Sequence, residues 1–225
     1  TAAGISVKIG DAEAETVDSF AAAMEKVKAA DADAAKVITL GEGTVSAADV
    51  NTFRIETPNL TIAGAGVDKT VINTGDFAIS GQAGVLIAAD NVTVRDLAVV
   101  SNNPGASGAA IKVTKIGTAE ELPAVKNVTI ANVSVKTIEA GFGLNLHGVE
   151  GATVTNVTVE SSKKASVSIA SASDVEIDQL TTGTNDWNCD IYFPYNAANV
   201  AAYGKASEVT FGELTLANGV ISSER

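Results

Sequence analysis

Gly151-Ala-Thr-Val-Thr-Asn-Val-Thr-Val159 is the stretch that decides the fold, because the chain returns to it again and again. Asn91-Val-Thr-Val-Arg-Asp-Leu-Ala-Val99, Asn127-Val-Thr-Ile-Ala-Asn-Val-Ser-Val135, Asp174-Val-Glu-Ile-Asp-Gln-Leu-Thr-Thr182 and Glu208-Val-Thr-Phe-Gly-Glu-Leu-Thr-Leu216 have the same form, and Asn59-Leu-Thr-Ile62 is a half-copy. Within each full copy apolar residues alternate, the phase breaks at an Asn, Asp or Gly-Glu pair, and alternation resumes. A period of two means a strand with one buried face. The two-residue break means a sharp bend, and Asn and Asp tolerate the left-handed backbone that such a bend needs.

Spacing turns these strands into a coil. Val128 and Ala152 are 24 residues apart and Ala152 and Val175 are 23 apart, whereas 36 separate Val92 from Val128, as loops bulging from some turns would give. Between copies runs a third alternating segment: Val85-Leu-Ile87, Ile111-Lys-Val113, Leu144-Asn-Leu146, Val167-Ser-Ile169 and Ile191-Tyr-Phe193. Three strands per turn predict an all-β chain, a right-handed parallel β-helix of roughly seven coils at about 4.8 Å each, on the order of 30 Å long. A β-sandwich would also alternate, but it has no need of one motif returning at near-constant phase. Residues 1–225 therefore read as one domain: strand and capping helix over 1–35, coils over 36–221, and a tail over 222–225.

At the front, Ile5 to Ile9 reads as a strand. A helix follows to about Ala30, with Thr16 as its predicted N-cap and Asp18 in the first turn. Val17, Phe20, Met24 and Val27 share its apolar face, which would plug the open end of the coil. At the far end Leu216 to Ile221 is predicted to form the last strand.

Composition limits the function. Apolar residues make up 46% of the chain and aromatics 4%, so the core must be aliphatic. A net charge of −12, with no basic stripe and with Arg54, Arg95 and Arg225 as the only arginines, argues against nucleic acid as a partner. The single Cys189 excludes an internal disulfide. No run of 18 or more apolar residues is present, so no membrane-spanning helix is expected. The start at Thr1-Ala-Ala3 reads as a processed or trimmed end.

The opening third resembles the pectin lyase-like superfamily, pectin methylesterases in particular. The resemblance rests on Phe20-Ala-Ala-Ala-Met24, on Lys36-Val-Ile-Thr-Leu-Gly41 and on Pro58-Asn-Leu-Thr-Ile-Ala-Gly-Ala-Gly-Val-Asp-Lys-Thr-Val-Ile72. It implies the superfamily's capping helix and first coils. It does not bring the catalytic pattern: Gln82-Ala-Gly84 is not followed by a Gln-Asp-Thr-Leu-Tyr run, and neither the calcium-ligating acids of the lyases nor the clustered aspartates of the polygalacturonases have counterparts. The whole is similar to β-helix domains of bacterial cell-surface and adhesin-like proteins, which implies an extracellular or cell-surface location and a monomeric module.

In enzymes of this fold the outward side chains of the third strand line the substrate groove. Alternation places Lys112, Asn145, Ser168 and Tyr192 there, flanked by His147, Ser166 and Asp190. Glycoside hydrolysis needs two carboxyl groups a few ångströms apart, and this column offers Asp190 alone. Lys112, His147 and Asp190 are thus the weak candidates for catalysis, and no metal centre is expected. Turns such as Asn102-Asn103 present oxygens of the kind calcium uses, although solvated loops explain them equally. Trp187, Tyr192 and Tyr195, with Tyr203 nearby, concentrate aromatics in an aromatic-poor chain, either as a platform for sugar rings, together with Asn145, or as closure of the final coils. The recurring Asn residues predict side chains hydrogen-bonded along the rod. Rows of Thr61, Thr93, Thr129, Thr153 and Thr210, and of Ser134, Thr158, Thr181 and Thr215, predict outward hydroxyl ladders, which Arg95 and Glu176 interrupt too often for ice recognition. Two functions follow: a non-catalytic surface module for adhesion or display that binds polysaccharide or host glycan, or a carbohydrate-active enzyme acting on polyuronates.

Overall fold

In the computed structural model, residues 1–75, 83–102, 108–116, 124–137, 141–194 and 207–224 are described. The chain enters through β1 (Ile5–Ile9), which pairs antiparallel with β2 (Glu15–Val17) on one side and with β3 (Lys36–Leu40) on the other. Between β2 and β3 lies α1 (Phe20–Ala29), which buries Phe20, Ala23, Met24 and Val27. Its N-cap is Ser19, whose Oγ accepts a hydrogen bond from the Ala22 amide at 3.0 Å. The expectation of Thr16 as the cap is corrected here. Thr16 and Val17 are spent on pairing with β1, so the helix begins after Asp18, and no acid stands in its first turn.

From β3 onward the chain makes seven passes. The first comprises β3, β4 (Gly43–Ser46) and β5 (Arg54–Ile55); the second β6 (Leu60–Ala63), β7 (Thr70–Asn73) and β8 (Ala83–Ile87). Then come β9 (Thr93–Ser101), β10 (Ala109–Val113), β11 (Val125–Thr137), β12 (Phe142–Ser162), β13 (Val167–Asn185) and β14 (Ile191–Tyr192). The last pass is β15 (Val209–Phe211), β16 (Leu214–Thr215) and β17 (Ile221–Ser222). Every ladder joining one pass to the next is parallel. Three ladders result, so the chain is all-β with a single curled, parallel-rich sheet.

Register follows the sequence repeat. In the first ladder Thr61, Thr93, Thr129, Thr153, Glu176 and Thr210 are consecutive partners; in the second, Ala98, Ser134, Thr158, Thr181 and Thr215 are. Residues on either side of these rows, such as Val128, Ile130, Val133, Val135, Val154 and Val157, face inward and are buried. Each such side chain withdrawn from water contributes about 1.5–3 kcal/mol, and the aliphatic interior is continuous from Ile5 to Ile191.

Bends between the first and second ladders carry Asp96, Asn132, Asn156 and Gln179 at φ of 59°, 53°, 51° and 53°. Asn156 Nδ2 donates to Asn132 Oδ1 at 2.9 Å, and Asn132 Nδ2 donates to Asp96 Oδ1 at 3.0 Å. At the entry to the first ladder, Asn127 donates to Asn91 and Asn91 to Asn59, at 3.2 and 3.0 Å. This second stack stops at Gly151 (φ 83°), where a Cβ would stand 2.8 Å from Asn127 Oδ1. The expected asparagine ladders are therefore present, as two separate lines.

The far end departs from expectation. Leu216 lies between strands rather than opening one, and the final strand is the two-residue β17, so Ser222 belongs to the sheet and not to the tail. Val209, Phe211, Leu214 and Leu216 are only partly buried, and among the described residues no strand pairs with β15 or β16 on their far side. Among the described residues no helix is long and apolar enough to cross a membrane.

Candidate functional site on the third ladder

The third ladder aligns Arg54, Leu86, Lys112, Asn145, Ser168, Tyr192 and Ser222 as consecutive partners, one from each pass. Their neighbours Ile55, Ile87, Val113, Leu146 and Ile169 fill the interior, so the column faces outward as alternation requires. Its exposure is the surprise. Lys112 and Asn145 retain 7% of their surface and Ser168 only 2%, so this part of the column is covered and is not an open strip. The strand alternation fixed which side these residues take but not what stands over them.

None of the three side chains has a hydrogen-bond or ion-pair partner among the described residues. Burial away from water holds the Lys112 ammonium below the ordinary lysine pKa. An amine, an amide and a hydroxyl thus stand side by side, sheltered from solvent and without partners among the described residues.

Asp190 has a different job. It is fully buried, and its Oδ1 accepts from Thr182 Oγ1 at 2.6 Å, from the Asn218 amide at 3.2 Å and from Asn218 Nδ2 at 3.1 Å. Its Oδ2 accepts from the Val220 amide at 2.8 Å. Burial alone would raise its pKa; the hydrogen bonds from Thr182, Val220 and Asn218 outweigh it and hold the carboxyl below the ordinary range. With both oxygens engaged, Asp190 fastens the last pass to β13 and is not disposed to move a proton. Ser166, also fully buried, accepts from Asn185 Nδ2 at 3.2 Å. His147, partnered in register with Ala170, is partly exposed and already engaged with a neighbour. Among the described residues no three His, Cys, Asp or Glu side chains converge as metal ligands would.

Beside Tyr192 the column meets an aromatic cluster. Trp187 stands edge-on to Phe142 and to Tyr192, with ring centroids 5.6 and 5.4 Å apart, and Phe142 stacks on Tyr192 at 6.4 Å. Lys164 Nζ lies 5.3 and 5.4 Å from the Phe142 and Trp187 ring centroids. The turn that presents Trp187 is tied by Asn185, whose Oδ1 accepts from the Cys189 amide at 3.1 Å while its Nδ2 donates to the Cys189 carbonyl at 2.8 Å. Phe142 and Cys189 are buried in the base of the cluster, while Trp187 and Tyr192 remain partly exposed. The cluster therefore closes the corner and still offers ring surface to solvent.

The structure brings together Lys112, Asn145, Ser168 and Tyr192 in one line, with Trp187 beside Tyr192, and sets Asp190 apart as a fastening. Tyr195 and Tyr203, like Gln82, Asn103 and Arg225, lie outside the described residues. Phe142 and Lys164 escaped the sequence reading. The signal for Phe142 was an aromatic standing directly before the alternating Gly143-to-Leu146 run, in register with Ala109. No protein-family model, no curated protein and no solved structure matches this chain.

Proposed function

We propose that this chain is a non-catalytic glycan-binding module, a right-handed parallel β-helix displayed outside the cell or on its surface for adhesion. The observation that supports it is the third-ladder column, in which Lys112, Asn145 and Ser168, without partners among the described residues, lead to the partly exposed rings of Tyr192 and Trp187. Polar groups on rigid strands can meet sugar hydroxyls, and an aromatic face beside them can take the apolar side of a ring. The locked Asp190 weighs against hydrolysis, which needs a second carboxyl group at a few ångströms. The module is read as a monomer with no cofactor assigned.

Binding of the full chain to a glycan array, compared with the Trp187→Ala and Asn145→Ala variants, tests the proposal. Each substitution is expected to weaken the preferred glycan at least tenfold with the fold retained by circular dichroism. Undiminished binding by both variants would discard the third-ladder column as the site.

A second reading has one observation in its favour. A sheltered lysine of lowered pKa is a competent base, so Lys112 could abstract a proton in a carbohydrate-active enzyme acting on polyuronates. Incubation with pectins, read by product absorbance and reducing ends, separates the two: turnover abolished by Lys112→Met would replace the binding module with an enzyme.

A further inference from the structure

The bend between β16 and β17, residues 217–220, folds onto Asp190 and carries the only Asn-Gly pair of the sequence, Asn218-Gly219. Asp190 Oδ1 accepts from the Asn218 amide at 3.2 Å and from Asn218 Nδ2 at 3.1 Å, and Asp190 Oδ2 accepts from the Val220 amide at 2.8 Å. The Ala217 amide donates to Thr182 Oγ1 at 3.0 Å, and Thr182 Oγ1 in turn donates to Asp190. Against the bend lies Cys189, fully buried, with its Sγ 3.9 Å from the Val220 carbonyl oxygen. Val220 itself packs on the cluster of Phe142 and Cys189.

An asparagine followed by glycine is open to spontaneous deamidation, because glycine has no Cβ to shield its own amide nitrogen. In this bend the nitrogen is accessible. Gly219 is exposed at φ 65°, with no atom within 4 Å of the place a Cβ would take. Among the described residues nothing accepts a hydrogen bond from its amide. The chemistry needs water alone. After losing its proton to water, the Gly219 nitrogen bonds to Asn218 Cγ, the Cγ–Nδ2 bond breaks, and the amide nitrogen leaves as ammonia with that proton restored. Water then opens the resulting succinimide at either carbonyl, leaving aspartate or isoaspartate. One water is consumed and one ammonia released, and nothing is oxidised or reduced.

We infer that Asn218 is a modification site whose conversion to an acid unfastens the last pass. Aspartate puts a carboxylate where the Nδ2 donor stood 3.1 Å from Asp190 Oδ1, and two carboxylates at that distance repel. Isoaspartate routes the main chain through Cβ, which lengthens it and draws the Val220 amide away from Asp190 Oδ2. Either product strips donors from a fully buried carboxyl group, which is the costly way to lose a hydrogen bond. The bend then lifts, uncovering Cys189 and loosening β17, while the earlier passes stay closed. The inference goes beyond the glycan reading and needs no ligand, so either stands if the other fails.

The test is to age the full chain in mildly alkaline buffer, which speeds loss of the Gly219 proton, and to map deamidation by peptide mass spectrometry. Asn218 is expected to convert faster than any other asparagine, and position 218 of Asn218→Gln to stay unconverted. The converted fraction separates by anion exchange on its added negative charge. In it a thiol reagent should label Cys189 about tenfold faster than in fresh protein, with circular dichroism unchanged and hydrogen exchange accelerated only in β15, β16 and β17. Asn218→Asp should reproduce this without ageing, and the aged fraction carries the comparison if that variant does not fold. Asn218 left intact while other asparagines convert, or Cys189 as protected in the converted fraction as in fresh protein, would overturn the inference.

Discussion

Asn132 shows what a single residue contributes to this architecture. It holds a left-handed backbone at φ 53°, accepts from Asn156 and donates to Asp96, so one side chain links three passes. Asn132→Ala should cost about 2–3 kcal/mol, combining backbone strain of about 1–2 kcal/mol with two lost hydrogen bonds. Asn132→Gly, which removes the strain, should cost less, and urea denaturation of the two variants checks the order. Asp190 makes a complementary case through pH. Its folded pKa is depressed, so its contribution is complete above the ordinary carboxylate value of about 3.9 and is lost as pH falls through the lower folded value. Between pH 5 and 3 the wild-type urea midpoint should therefore fall more steeply than that of Asp190→Asn, which should be the less stable of the two at pH 7. These roles were only half legible. The Asn recurrence announced the bends, but the four donors around Asp190 come from Thr182 and from Asn218 and Val220, up to 30 residues away, and no local pattern marks them.

At the scale of elements, alternation was the reliable signal and termini were not. The inward and outward faces of β9, β11, β12 and β13 follow from period two alone, because one buried face fixes the register of every residue. The start of α1 did not follow: Thr16 and Ser19 are both acceptable caps, and only the pairing of β2 with β1 decides between them. A second element, β3, depends on a residue that reads as surface. Lys36 is 1% exposed, and its Nζ donates to the carbonyls of Ala32, Ala34 and Pro58 at 3.0, 2.8 and 3.1 Å. Lys36→Met should keep the packing but strand three acceptors, costing about 2–4 kcal/mol by thermal or chemical denaturation. Lys36 shares the buried face of β3 with Ile38 and Leu40, and no local pattern marks the carbonyls before the strand and at Pro58 that satisfy its charge.

For the whole molecule, the two ends differ. The front is closed by β1, β2 and α1, whereas Val209, Phe211, Leu214 and Leu216 in the last pass are only partly buried and Ile221 is 46% exposed. Amide hydrogen exchange should therefore be slowest in the middle passes of β11, β12 and β13 and fastest in β15, β16 and β17, with protection falling toward the far end. Equal protection from end to end would mean that the last pass is covered. The repeat made the stacking legible before any coordinates, yet it was silent on the shelter over Lys112, Asn145 and Ser168, since burial from outside the sheet leaves no trace in period two. Everything proposed for the column requires those residues to stand in adjacent, parallel strands. Cross-strand nuclear Overhauser contacts on the labelled full chain measure this directly. Contacts linking Lys112 to Asn145, Asn145 to Ser168, and Thr129 to Thr153 are predicted, with parallel patterns in each case; antiparallel patterns, or the absence of these pairs, would contradict the account.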